Sequence, residues 1–144
     1  MNEIQYIIPG KARGKGRPRM MRSGHVYTDS KTDNFEGAVR SLAARAMKDA
    51  GLPLAAGVPV TVSIIIGAVV PQSYTRKKRQ AALDGRLPPF KPDVDNVAKS
   101  ILDAMNGIVY DDDAHVCSLS VEKRFAEGMA GTVVNVRWLE GADA

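Results

Sequence analysis

Five aspartates in two short segments carry the chemistry of this sequence: Asp93 and Asp95 in K-P-D-V-D-N, and Asp111, Asp112 and Asp113 in Y-D-D-D. Carboxylates gathered near the ends of structural elements suit Mg²⁺, a hard ion that takes a few carboxylate oxygens and completes its shell with water and substrate phosphate. Each segment also has a plainer reading. Acidic residues at a helix start stabilise it by roughly 0.3–2 kcal/mol through capping and the helix dipole, and an acidic run before a strand can be a solvated turn. An EF-hand is excluded, because with Asp93 and Asp95 as its first two ligands the obligatory glycine falls on Ala98 and the bidentate glutamate on Ala104. Zinc is a poor fit, since Cys117, His25 and His115 are the whole supply of soft and imidazole ligands. The histidines have no serine or cysteine partner that would suggest a triad, and His115 is placed only to touch a substrate near the acidic run.

Lys99 lies four residues after Asp95 and four before Asp103, so on a helix it shares their side. It is either half of a surface ion pair, which is worth little, or a cation beside a phosphate on which charge develops during reaction. Two basic segments accompany the acids. Lys11 to Arg22 contains Lys11, Arg13, Lys15, Arg17, Arg19 and Arg22 with no acidic residue, and Arg76, Lys77, Lys78 and Arg79 are consecutive. Net charge is +4 over 144 residues, which favours a polyanionic partner. Gly14 and Gly16 lack the strand-to-helix context of a phosphate-binding glycine motif.

These residues need a frame. The length suits one domain, residues 1–144, and the 44% apolar content is enough for a packed core. Glu3 to Ile8 alternates as a strand, and the glycine-dotted basic segment after it reads as a loop. From about Asp29 to Ala50, Phe35, Ala38, Val39, Leu42, Ala43, Ala46 and Met47 recur at helical spacing. Asp33 with Glu36 fits a capping box, or the helix starts earlier at Asp29 or Ser30; Gly51 ends it. Val58 to Gly67 alternates as the strongest strand. Ser73 to Leu83 is a short basic helix, and Asp84 to Pro92 a loop. Val94, Val97, Ala98, Ile101, Leu102 and Met105 form a second helical stripe that stops at Asn106-Gly107. Ile108 to Tyr110 reads as a short extended piece. Val116 to Phe125 and Thr132 to Leu139 read as strands of an antiparallel hairpin about Glu127-Gly128. The order predicts an α/β or α+β domain with a mixed sheet packed by helices.

Residues 91 to 116, K-P-D-V-D-N-V-A-K-S-I-L-D-A-M-N-G-I-V-Y-D-D-D-A-H-V, resemble the signature of the RusA-type Holliday junction resolvases: an Asp-x-Asp-Asn pair, a lysine four residues after the second Asp, a helix ending near Asn-Gly, then an aromatic and an acidic run. More loosely, Pro9 to Arg19, Tyr27-Thr28 and Pro71 to Arg79 are similar to the family's basic loop, its approach to the first helix and its Pro-x-Ser-aromatic stretch. The resemblance implies a Mg²⁺-dependent homodimer, with Mn²⁺ as a substitute ion, that cuts four-way DNA junctions. Carried over by position, it makes Asp93, Asp95 and Asp113 the essential carboxylates and metal ligands, with Asp112 competing for the third place, and Lys99 the catalytic lysine. Arg13, Lys15, Arg17, Arg19 and Arg76 to Arg79 would then contact backbone phosphates. The two-fold symmetry of a junction and the need for two cuts also favour a symmetric dimer, with one carboxylate cluster in each subunit.

Two other readings share these features: a DNA-binding module in which the aspartates only cap and turn, and a Mg²⁺-dependent nuclease for other branched DNA. A lone cysteine and no apolar run of the ~20 residues that span a bilayer lead to the expectation of a cytoplasmic protein with no membrane contact.

Overall fold

A computed structural model of the chain describes residues 1–15, 19–20, 26–27 and 30–140, with backbone alone at 19–20 and 26–27. The order of elements is β1 (Asn2–Pro9), β2 (Arg19–Met20), β3 (Val26–Tyr27), α1 (Ser30–Ala50), β4 (Val60–Val69), α2 (Arg76–Leu83), α3 (Val94–Met105), a single 3₁₀ turn (Asp113–His115), β5 (Val116–Ala126) and β6 (Gly131–Trp138). The mixed α+β architecture expected from the pattern is the one observed. Two features of the basic loop and the C-terminal strands differ from it. The segment read as loop contributes β2, which pairs antiparallel with β3. Strands β5 and β6 form no hairpin: the sheet order is β1-β6-β4-β5, so β4 lies between them, parallel to β5 and antiparallel to β6.

The reason lies in β4. Its Val60, Val62, Ile64 and Ile66 are buried, and Thr61, Ser63 and Ile65 on the other side are half-covered. A strand this apolar is most stable with both backbone edges satisfied, and β5 and β6 supply one edge each. Period-two alternation reports which side chains share a face; it carries nothing about which strand lies alongside.

Helices α1 and α3 cover one face of the sheet. Ile4, Tyr6 and Ile8 from β1, the four buried residues of β4, and Val134, Val136 and Trp138 from β6 pack with Phe35, Val39, Ala43 and Met47 of α1 and with Val97, Ala98, Ile101, Ala104 and Met105 of α3. The expected stripe on α1 holds except at Ala38, which is exposed. The helix begins at Ser30, so Asp33 and Glu36 form no capping box; Asp33 lies in the first turn and Glu36 is buried. Gly51 closes α1 with a φ of 65°, a conformation that a side chain would penalise. Ile108 and Val109 form a turn, and only Tyr110 of that piece is extended, bridging to Ala55 and Asn106.

A second, smaller cluster of Val70, Ala82 and Phe125, with Tyr74, Leu83 and Leu87 against it, seats α2 on the end of the sheet. Because β6 runs against both its neighbours, β1 and β4, and β5 runs parallel to β4, strands β1, β4 and β5 end at the same edge. Among the described residues no helix is long and apolar enough to cross a membrane.

Candidate active site

That shared edge opens into a cleft of about 840 Å³. Its walls are the chain after β1 (Lys11 to Lys15), the end of β4 (Ile66 to Gln72), the first residues of α1 (Lys31, Thr32) and the start of α3 (Lys91 to Asp93, Asn96). Five of these residues are cationic and Asp93 is the one acid. Two helix N-termini add partial positive charge, so the cleft is shaped and charged for a polyanion.

The β1 loop is held tightly against both helices. The Lys15 amide donates to the Asn96 carbonyl at 3.0 Å, and the Thr32 hydroxyl donates to the Gly14 carbonyl at 3.2 Å. A Cβ on Gly14 would lie 2.6 Å from Cβ of Asn96, so only glycine permits this approach. The Lys15 ammonium donates to Oε1 of Glu36 at 2.6 Å and to Oδ2 of Asp103 at 3.2 Å. The hydrogen bond with Glu36 is the main cause of a lysine pKa raised above its ordinary value. Lys15, expected to touch phosphate, is thus already committed to two carboxylates inside the chain.

At the start of α3, Asp93 occupies the N-cap position yet caps no backbone N–H with its side chain. Its Oδ2 accepts a long bond, 3.5 Å, from the Asn96 amide, and Asp95 Oδ1 accepts from the Asn96 N–H at 3.0 Å. Both carboxylates are exposed. Lys99, one turn further along the same side, is exposed and makes no ion pair among the described residues, so it is not spent on Asp95 or Asp103.

The second acidic segment sits at the other end of α3. Asn106, the C-cap residue, receives the Asp113 N–H on its Oδ1 at 2.8 Å and donates from Nδ2 to the Asp113 carboxylate at 3.3 Å. Burial raises the Asp113 pKa above the usual carboxylate range; the Asn106 amide opposes this, while the neighbouring Asp103 and Asp112 carboxylates add to it. Asp112 plays a different part, because its Oδ1 accepts the Ala114 N–H at 2.9 Å and caps the 3₁₀ turn. Asp111 accepts from Nδ1 of His115 at 2.7 Å, and that bond lowers its pKa. Asp103 and Asn106 were passed over in the sequence as helix face and helix stop; Asp103, four residues after Lys99, carried a spacing signal that could have found it.

The two acidic sets are therefore far apart. Helix α3 has 12 residues, and at about 1.5 Å each the rise from Asp93 and Asp95 to Asp103 and Asn106, against which Asp113 packs, is on the order of 12–20 Å. Among the described residues no three Asp, Glu, His or Cys side chains are close enough to hold one metal ion. The expected set of Asp93, Asp95 and Asp113, with or without Asp112, is not assembled within one chain, because the two segments flank a continuous helix. One chain therefore does not fit Mg²⁺ in the expected way.

Of the other expected DNA contacts, Arg13 is half-exposed at the cleft and has no ion pair among the described residues. Arg76 and Lys77 are exposed on α2, Lys78 stacks over the Tyr74 ring at 4.2 Å, and Arg79 donates to the Pro71 carbonyl at 3.5 Å. Arg17, Arg22, His25 and Thr28, and the side chain of Arg19, lie outside what the structure describes.

Residues 9–137 match the family described as Endodeoxyribonuclease RusA. A curated relative, the "Uncharacterized protein YqaN" of Bacillus subtilis (strain 168), is 32% identical over 133 residues, covering 88% of this chain and 91% of its own length. With a match that spans both acidic segments, the basic loop, both long helices and strands β4, β5 and β6, the chain belongs to the RusA endodeoxyribonuclease family.

Proposed function

We propose that this protein hydrolyses phosphodiester bonds in branched DNA, four-way junctions foremost, as a two-fold homodimer that uses Mg²⁺ or Mn²⁺. The observation that carries this reading is the division of the acidic residues between the two ends of α3. Neither end alone offers an ion the three carboxylates expected of it. A two-fold axis that sets the start of α3 of one protomer against the Asp113 end of its partner would give each of two sites Asp93 and Asp95 from one chain and Asp113 from the other. Two such sites match a substrate that must be cut on two opposed strands.

The chain's own residues have distinct roles in this reading. Arg13, Lys11 and Lys91 line the cleft where a phosphate backbone enters, and α2 extends the cationic surface with Arg76 and Lys77. Lys99, unpaired among the described residues and midway along the polar side of α3, is placed to approach a phosphoryl oxygen as its charge grows. Asp113 is favoured over Asp112 as the third carboxylate, because Asp112 is occupied with capping while Asp113 is half-buried and oriented by Asn106 from two sides. Asn96 contacts both carboxylates at the start of α3, donating its side-chain amide to Asp93 and its backbone N–H to Asp95.

Subunit complementation tests the arrangement. Asp95→Asn and Asp113→Asn proteins should each fail to cut a four-way junction. Unfolded and refolded together, they form heterodimers in which one composite site is intact and the other lacks both carboxylates, so nicking of one strand returns. If each chain carried its own complete site, the mixture would stay inactive, and the composite reading would fall. Forked, linear and single-stranded DNA, assayed beside the junction with Mg²⁺ and with EDTA, decide the substrate. No cutting of any of them would leave a DNA-binding module.

A further inference from the structure

Of the described aromatic side chains Phe90 alone is exposed, at 86%. Its backbone, by contrast, is well held. Pro89 before it is buried and Pro92 after it is half-buried. The ammonium of Lys123 on β5 donates to the Phe90 carbonyl at 3.3 Å and to the Pro92 carbonyl at 3.0 Å. Lys91 precedes a proline and is restricted to extended conformations. The ring therefore stands on a segment braced by the sheet, with no partner of its own among the described residues. It is also beside the cleft: Lys91, Pro92 and Asp93 form part of the wall, and three residues of chain put Phe90 within about 10 Å of Asp93.

We infer that Phe90 is a stacking platform for a nucleobase left unpaired or half-stacked at a DNA branch point, and so a specificity residue of this protein. This rests on the DNA reading of the cleft proposed above and adds a means of discrimination to it. Cationic side chains bind any duplex through its phosphates and carry no information about branching. A base inside a duplex has both faces covered by its neighbours, whereas a base at a branch has a face to offer. A flat apolar ring, rigidly presented and flanked by the cations Lys91 and Lys123, matches that face and would find nothing to stack on in continuous duplex.

The experiment compares wild type, Phe90→Ala and Phe90→Trp for binding in EDTA to a four-way junction with 2-aminopurine at the branch and to a linear duplex of the same sequence. Loss of one base stack weakens binding between about five- and a hundred-fold. Phe90→Ala should show that loss on the junction only, with duplex affinity and salt slope unchanged, and should lose the quenching of 2-aminopurine; Phe90→Trp should retain both. Since the ring touches solvent, circular dichroism should report an unaltered fold. Wild-type-like binding and quenching by Phe90→Ala, or an equal loss on duplex, would overturn the inference. Wild-type protein that cuts no branched DNA with Mg²⁺ would instead overturn the proposed function. Cutting that is normal, with Phe90→Ala discriminating as well as wild type, would remove the stacking role alone.

Discussion

The two ends of α3 carry similar residues and are built for opposite purposes. At its start, Asp93 and Asp95 are exposed, and Asp93, whose side chain caps no backbone N–H, lies in the wall of a cationic cleft suited to a polyanion. At its end, Asp103 and Asp113 are half-covered and close together, and burial with the neighbouring carboxylates makes ionising Asp113 costly. Crowded carboxylates gain by binding a cation; carboxylates beside a phosphate channel gain by helping to place one. Proximity in sequence had suggested one site. The helix between them shows two halves, and Lys15, tied to Asp103 at one end and to the Asn96 backbone at the other, fixes the distance between them.

Exchanging charge at the second half should produce the largest effect. Asp113→Asn should lower junction cleavage by at least about a thousand-fold, the scale of several kcal/mol of lost charge stabilisation. Asp112→Asn should cut at close to the wild-type rate, since asparagine still caps the turn. Equal losses in steady-state cleavage by the two variants would erase the distinction drawn between the neighbours.

The link between the halves is the next target. Gly14→Ala places a methyl against Cβ of Asn96 and should destabilise the fold by about 1–3 kcal/mol, read as a lowered urea midpoint. Lys15→Met leaves the buried Glu36 carboxylate with only the long 3.9 Å contact to Arg40 and should cost about 2 kcal/mol, yet leave the salt dependence of DNA binding unchanged. Arg13→Gln should do the reverse, flattening the slope of log affinity against log salt by up to about 0.9 with little effect on stability. A flattened slope for Lys15→Met would return that lysine to the DNA surface.

The smallest effect concerns pH. The folded-state pKa of Asp113 is raised, so the folded chain holds that proton more tightly than the unfolded one, and stability falls as pH rises from the unfolded carboxylate value through the folded one. At neutral pH the ionised group is a modest burden, and Asp113→Asn should melt slightly higher than wild type. The gain should vanish on acidification below the ordinary carboxylate range. A melting difference that is independent of pH would mean that neither burial nor the neighbouring carboxylates raise the Asp113 pKa.

The sequence by itself determined a good deal. Apolar spacing placed α1, α3 and the four strands of the main sheet to within a few residues, because burial of a face repeats along the chain with the period of the element. The acidic segments, the Lys99 register and the basic runs were equally legible, since they are local patterns. Tertiary structure alone decided the rest. Strand β4 came between β5 and β6 because an apolar strand uses both its backbone edges, which no alternation records. Glu36 left a supposed capping box to bind Lys15, 21 residues away, and Lys15, still in the wall of the cleft, is tied to Glu36 and Asp103. Whether Asp93, Asp95 and Asp113 meet depended on the length of the helix between them and on how its two ends are used. That is a distance in space, and within one chain the unbroken length of α3 keeps them apart.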